Sequence, residues 1–329
     1  MAFSASYDNP AAPSSGAAVS NREDLTDLLS MLSPQDTPFV SLCPKRKAKA
    51  TNHEWSIDSL ASPDTSGVLE AQDVSTFDDK FANKLRIGNV IQGFRRSFGT
   101  SVVQDAVSSV QSNFAQASVK SIRELKRDME AAISSGNDKV VGSGSAKAQL
   151  RGMFKYVSTS PGSDIPSLYT PASAQVISNP ASNILTEALL NSALASMYNT
   201  SGVLNNVTMI ADTGVREDVA DFVRTGGSTD SRQYNINGTA KTVTLAVDVY
   251  NSDFGKINVV NSNPDTSADS TNHDRALIVN LDYVGLASLI PLRQEELENQ
   301  GAGRRGYAEA WATLECLQPQ AHASVDLNK

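Results

Sequence analysis

From Val102 to Ser135 the chain carries neither glycine nor proline: VVQDAVSSVQSNFAQASVKSIRELKRDMEAAISS. Its apolar residues fall at Val103, Val107, Val110, Phe114, Ile122, Leu125, Met129 and Ala132, the steps of three and four that mark one helix face. Ser101 with Gln104 has the form of a capping box, and Gly136 stands where a left-handed C-cap is expected. At 1.5 Å per residue the stretch predicts one straight rod of roughly 50 Å. A helix of that length needs other elements laid along it, so it reads as a spine. Lys120–Glu124 and Lys126–Glu130 have the spacing of ion pairs within it. A coiled coil fits less well, because nothing else in the chain repeats a heptad.

The remaining composition narrows the class. A chain of 329 residues with 40% hydrophobic content can bury two or three cores. A net charge of -8 argues against a protein that grips nucleic acid by neutralising phosphates. The opening MAFSASYDNPAAPSSGAAVSN lacks the basic and apolar regions of a signal peptide. No run of about 20 apolar residues occurs; the nearest, Val279–Leu292, is broken by Asp282 and Pro291. Cys43 and Cys316 make neither a metal spacing nor a disulfide framework, so a reducing cytoplasm is the expected place of folding.

Residues 1–20 are rich in Ala, Ser, Pro and Gly and have little to bury. Asn21 predicts a short helix through Leu32, with Glu23 and Asp24 in its first turn. Pro34, Pro38 and Pro44 predict an extended arm whose Phe39, Val40 and Leu42 must find burial elsewhere, on another subunit. Lys45-Arg46-Lys47-Ala48-Lys49 is a dense basic run; without interleaved aromatics it reads as a solvated or neighbour-paired arm segment rather than a nucleic-acid contact. A polar segment with the charged tip Asp78-Asp79-Lys80 precedes a strand-like stretch from Leu85 to Phe98, together a long two-stranded excursion. After the spine, GNDKVVGSGSAKAQLRGMF reads as a glycine-rich linker. A helix from Pro180 through Tyr198 stopped by Gly202, a strand at Val207–Ala211, a helix at Val215–Arg224 ended by Gly226-Gly227, and strands at Thr242–Tyr250 and Ile257–Val260 make a central α/β unit. The polar loop Asn261–Asp274 closes it. Ala276–Leu281 and Val284–Leu292, a charged turn with Arg304-Arg305, and a last strand at Tyr307–Leu317 complete the chain.

No catalytic constellation emerges. His53, His273 and His322 are scattered, and no G-x-S-x-G, S-x-x-K, H-E-x-x-H or G-x-x-x-x-G-K-[ST] occurs. Gly142-Ser143-Gly144-Ser145 does not continue into a phosphate loop, and Asp265, Asp269 and Asp274 lack the mid-loop glycine and closing glutamate of a calcium hand. The expectation is no enzyme, no cofactor and no metal.

Several stretches read together as one family. NREDLTDLLSMLSPQDTPFVSL (21–42) with KAKATNHEWSIDSL (47–60) resembles the N-terminal arm of the tailed-bacteriophage major capsid proteins. KSIRELKRDMEAAI (120–133) is similar to that family's spine helix, and VDVYNSDFGKINVVNS (247–262) to its central strand pair. LDYVGLASLIPLRQEEL (281–297) and WATLECLQPQAHA (311–323) are similar to its closing segments. The resemblance implies an α+β Johnson-type capsid fold: N-terminal arm (1–55), extended E-loop hairpin (56–100), peripheral domain with a long spine helix (101–180), axial domain (181–275) and peripheral return (276–329). It implies a major capsid protein that assembles as hexamers and pentamers into the icosahedral head of a tailed double-stranded DNA phage. The genome is enclosed without sequence-specific binding and no membrane is involved. A separate scaffolding protein, a portal and a cement protein are the expected partners, with assembly in the host bacterial cytoplasm and the virion as destination. Expected assembly contacts are Asp78, Asp79, Lys80, Arg95, Arg96, Lys126, Arg127, Arg304 and Arg305. The alternatives are an encapsulin-like compartment shell and, from another class, an enzyme of unknown type.

Overall fold

The computed structural model describes residues 37–107, 113–178, 180, 183–202, 204–225, 249–261, 274–299, 301 and 303–327. The expected helix over 21–32, the Gly226-Gly227 stop, most of the strand over 242–250 and nearly all of the loop over 261–274 lie outside them.

In chain order the elements are α1 (Pro38–Leu42), β1 (Lys45–Lys47), β2 (Asn52–Ile57), β3 (Leu85–Val90), β4 (Gln92–Ser101), α2 (Val102–Val107), α3 (Phe114–Ser134) and α4 (Met153–Tyr156). Then follow β5 (Val176–Ser178), α5 (Glu187–Ser201), β6 (Leu204–Ala211), α6 (Thr213–Thr225), β7 (Val249–Ser252) and β8 (Gly255–Asn261). The chain closes with β9 (Arg275–Asn280), β10 (Val284–Leu297), β11 (Gly303–Cys316) and β12 (Ala323–Asp326).

The single rod expected over 102–135 is two helices. Asn113 adopts an extended conformation, and its side-chain oxygen accepts the Gln116 N–H at 2.9 Å. Asp105 Oδ1, from α2, accepts the Phe114 N–H at 3.1 Å. Two short polar side chains thus take the free N–H groups of a new helix start. The Ser101 half of the expected capping box is present, its Oγ accepting the Gln104 N–H at 3.1 Å. Val103, placed on the apolar face by its spacing, is 70% exposed. At the other end Ser135, in extended conformation, caps α3, and Gly136 plays no left-handed role.

α3 lies across one face of a four-stranded sheet ordered β1-β10-β11-β4. Phe114, Ser118, Ser121, Leu125, Met129 and Ile133 are buried, and small residues on β11 (Ala308, Ala310, Ala312) with Phe94 on β4 let the helix come close. The chain folds back so tightly after α3 that a Cβ on Gly152 would sit 2.1 Å from Ser135 O, a position only glycine tolerates. β10 pairs antiparallel with β11 from Val284↔Cys316 to Leu297↔Arg305, and β11 continues beside β4 through Arg304↔Thr100, so Arg304 and Arg305 belong to a strand rather than a charged turn.

A second core fills a six-stranded mixed sheet, ordered β5-β12-β9-β6-β8-β7, with α5 and α6. Thr186, not Pro180, precedes α5 as its cap, and Gly202 at φ 78 ends it. β5 and β12, and β9 beyond its first residue, join this sheet from outside 181–275. The chain passes from one sheet to the other between β9 and β10 through a single 3-10 turn, Leu281–Tyr283.

The stretch expected as a loose linker is pinned. Val140 and Gln149 exchange two backbone hydrogen bonds at 2.9 and 3.0 Å. Arg151, 1% exposed, donates to Asp138 and Asp164 at 2.6 Å each.

Candidate assembly surfaces

The arm leaves the subunit less than its prolines suggest. Pro38 opens α1 instead of extending the chain, and Phe39 is buried against this subunit's own α3. The Phe39 and Val40 N–H groups donate to Glu130 on α3 at 2.8 and 2.7 Å. A carboxylate beneath a helix start meets both free donors and the positive end of the backbone dipoles. Glu130 therefore does not pair with Lys126, as their spacing suggested. Burial pushes its carboxyl up to about 7, against the pull of the Val40 and Phe39 N–H groups and of Lys45.

The basic run after α1 is likewise absorbed. β1 pairs in parallel with β10, Ala48 is buried, and Arg46 Nη1 lies 2.7 Å from Glu315. Lys45 and Lys47 remain exposed on an edge strand, where ammonium groups discourage uncontrolled strand addition.

The loop between β2 and β3 is the opposite case. Its root is firm: β2 and β3 pair in register from Asn52↔Val90 to Ile57↔Leu85. Asn83 Nδ2 donates to Ser59 O at 3.4 Å across the two limbs, and Tyr169 OH donates to Asn83 O at 2.5 Å. β3 is tied to the body by Lys139, whose Nζ reaches Gly88 O at 2.9 Å and Asp164 at 2.7 Å. Asp164 is held below the usual carboxylate range: burial opposes this, but hydrogen bonds from Arg151 and Lys139 outweigh it. Beyond the root no described residue from 58 to 84 joins a strand. Leu60 is 97% exposed and Phe77 88%, with Val68, Leu69, Val74 and Phe81 similarly bare. The same segment holds Asp58, Asp64, Glu70, Asp73, Asp78 and Asp79 against Lys80 and Lys84. Its surface is apolar and acidic, and its own subunit covers none of those six apolar side chains.

The basic and acidic residues singled out from the sequence do not converge on one surface. Asp78 and Lys80 pair at 3.1 Å, and Asp79 caps the Phe81 N–H at 2.9 Å; in sequence they stand three to five residues before Asn83 at the loop's root, not at its tip. Arg95 reaches Glu309 at 2.8 Å and covers the Tyr307 ring at 4.9 Å. Arg293 binds the same Glu309, which is 2% exposed and held below its ordinary range by Arg95 and then Arg293. Arg96 makes two 2.6 Å bonds to Asp128 on α3, locking sheet to helix. Arg304 pairs with Glu296 at 3.0 Å and stacks on Phe114, while Arg305 donates to Glu298 O at 2.9 Å. Lys126 is exposed, and Arg127 is half-buried with its Nε enclosed. Glu130, Glu309 and Arg151 escaped sequence reading because their types and spacings look like ordinary solvated charges.

Among the described residues no group of His, Cys, Asp and Glu side chains gathers in a metal-binding arrangement, and no helix is long and apolar enough to cross a membrane.

Solved structures share this architecture. The capsid of Cyanophage P-SCSP1u matches with a TM-score of 0.59 at 16% identity, over 94% of this chain and 92% of that one. The capsid of a native GTA particle matches with a TM-score of 0.62 at 12% identity, over 94% and 96%. A Gordonia phage Cozz chain matches with a TM-score of 0.59 at 13% identity, over 99% of each. Comparison with curated proteins finds no match. The fold is therefore the Johnson-type α+β fold of tailed-phage shell subunits, with a spine helix, two large sheets and a loop carried on the two-stranded β2-β3 sheet. The SU10 major capsid protein family matches residues 12–328, and the chain belongs to that family. It is a major capsid protein of a tailed phage, and the head shell is what it builds.

Proposed function

We propose that the subunit assembles into hexamers and pentamers held by its projecting loop, forming an icosahedral container for double-stranded DNA. The observation that carries this is the bare apolar surface of residues 58–84 on a root too well fixed to collapse onto its own body. Ring closure requires two different complementary surfaces per subunit, and a loop that reaches outward supplies one of them. Each large side chain covered by a neighbour contributes about 1.5–3 kcal/mol, and many weak contacts per subunit add through effective concentration.

The division into arm (1–55), E-loop (56–100), peripheral domain (101–180 and 276–329) and axial domain (181–275) belongs to this reading. So do contacts between subunits through Asp78, Asp79, Lys80, Arg95, Arg96, Lys126, Arg127, Arg304 and Arg305. In this account the paired arginines among them exchange or share their internal partners in the shell. A net charge of -8 suits a wall that lets DNA be pumped in and released without strong adhesion. The role is structural, with no catalytic step. Separate scaffolding, portal and cement proteins complete the particle, which is assembled in the host cytoplasm. Electron microscopy of the purified protein and of particles tests the reading: closed shells with five- and sixfold capsomers are expected. Small soluble oligomers alone, or shells filled with protein cargo in place of DNA, would overturn it.

A further inference from the structure

The chain crosses between its two cores beside a buried histidine. His322 follows the 3-10 turn Pro319–Ala321 that leads from β11 to β12, and it is fully buried. Its Nδ1 accepts the backbone N–H of Asn280 at 3.1 Å, where β9 gives way to the 3-10 turn that leads to β10. A backbone N–H can only donate, so Nδ1 carries no proton and Nε2 holds the ring's one hydrogen. Nε2 is enclosed and makes no hydrogen bond. The nearby Tyr283 carbonyl already accepts the Leu317 N–H at 2.8 Å. One neutral ring thus ties two crossovers, each of which joins the same two sheets.

The surroundings offer a charged ring no counter-ion. Gln175, whose Nε2 donates to Gln320 O at 2.6 Å and to His322 O at 3.3 Å, is a neutral amide. The charged groups on neighbouring elements are engaged elsewhere. Asp282 accepts from Asn206 on β6 at 3.2 Å, and Arg275 on β9 pairs with Asp326 on β12 at 3.0 Å. Glu315 on β11 pairs with Arg46 at 2.7 Å, and Glu187 on α5 accepts from Tyr250 at 3.1 Å. Tyr198, Tyr283 and the buried thiol of Cys316 are the other titratable groups on these elements. Burial pushes the ring down to about 3, against the weaker pull of the Tyr283 backbone. We propose that His322 is an acid-sensitive bolt between the two cores. Neutral, it holds the β9–β10 crossover against the β11–β12 crossover; a second proton must land on Nδ1, where it displaces the Asn280 N–H and opens the junction while each sheet stays folded. A ring that ionises at about 3 in place and at 6.5 when released takes its proton in the open form, so opening grows about tenfold per unit as pH falls below 6.5. Glu130 titrates in a neighbouring range, but with the opposite sign and on α1. The bolt concerns the single subunit and stands apart from the shell reading.

The test is thiol labelling of the full-length protein with dithiodipyridine, which reacts below neutral pH, with the modified cysteines located by peptide mass. Cys316 is the last residue of β11, at the junction, whereas Cys43 is buried beside α1 and reports melting away from it. From pH 6 to pH 5, labelling of Cys316 relative to Cys43 is expected to rise about tenfold. In His322→Asn, whose amide oxygen can take the same N–H without titrating, the ratio should stay flat. Where that variant fails to fold, nitrogen chemical shifts of the wild-type imidazole decide the matter: the closed form should keep a bare Nδ1 down to about pH 4. No rise at Cys316, equal labelling of both cysteines, an acid response that survives His322→Asn, or a ring that ionises near its ordinary value without losing Asn280 would overturn the proposal.

Discussion

Glu130 shows how one side chain sets the course of a whole segment. Without its carboxylate, two buried N–H groups of α1 lose their acceptors, at about 1–3 kcal/mol for each group stranded. Glu130→Ala should therefore lower the denaturant midpoint and free the arm, seen as faster amide exchange at Phe39 and Val40. The pH sign follows from its raised carboxyl, about 7 when folded against an ordinary 4.5. The folded state holds this proton more tightly, so its contribution to stability is complete below pH 4.5 and is lost as pH rises towards 7. Glu130→Gln should flatten that slope in urea titrations. Glu309 and Asp164 act in the opposite sense: held low by arginine and lysine partners, they stabilise above the ordinary carboxylate range and fail as pH falls. Gly152 is a steric test of the fold after α3. Gly152→Ala places a methyl on Ser135 O and should reduce thermal stability more than Gly144→Ala, where the space is open.

At the scale of elements, α3 and the loop were unequally legible in the sequence. The second half of the spine was readable because Ile122, Leu125, Met129 and Ala132 keep helical period; Leu125 and Met129 are buried against a wall of alanines on β11, Ile122 and Ala132 are half-buried, and Ile133 fills the core beside them. Its break was not, since an asparagine and an aspartate look harmless in a helix until their oxygens are found on the Gln116 and Phe114 N–H groups. Asn113→Ala should cost about 1 kcal/mol, and hydrogen exchange should show fraying confined to the first turn of α3. Leu125→Ala, fully buried, should cost about 2–5 kcal/mol and destabilise the whole core beneath α3. The arm misled for a physical reason: three prolines suggest extension, yet proline is well placed in a first helical turn, where Pro38 stands. The loop was legible as an excursion. The strand-like stretch read from Leu85 begins where β3 does; what spacing did not show is that its partner is β2, Asn52–Ile57, most of which was read as arm.

At the scale of the molecule, two cores, linked where the chain passes from β4 to β5, from β9 to β10 and from β11 to β12, make one body, while residues 58–84 stand outside it. That contrast, more than any single contact, is what a shell subunit needs: a rigid tile and a strap that finds burial on another tile. Part of the strap system suggested by the sequence is internal, since the arm from Pro38 to Ala48 packs on its own α3 and β10. In the proposed function the lashing role therefore rests on the loop. Its limbs meet at Ser59 and Asn83, so residues 61–81 can be replaced by a four-residue Gly/Asn turn without disturbing β2 or β3. The decisive measurement is sedimentation of this shortened protein beside the intact one under conditions in which the intact chain forms shells. The account predicts a folded subunit or small oligomer that never reaches shell size, and shells of normal size and yield from the shortened chain would contradict it.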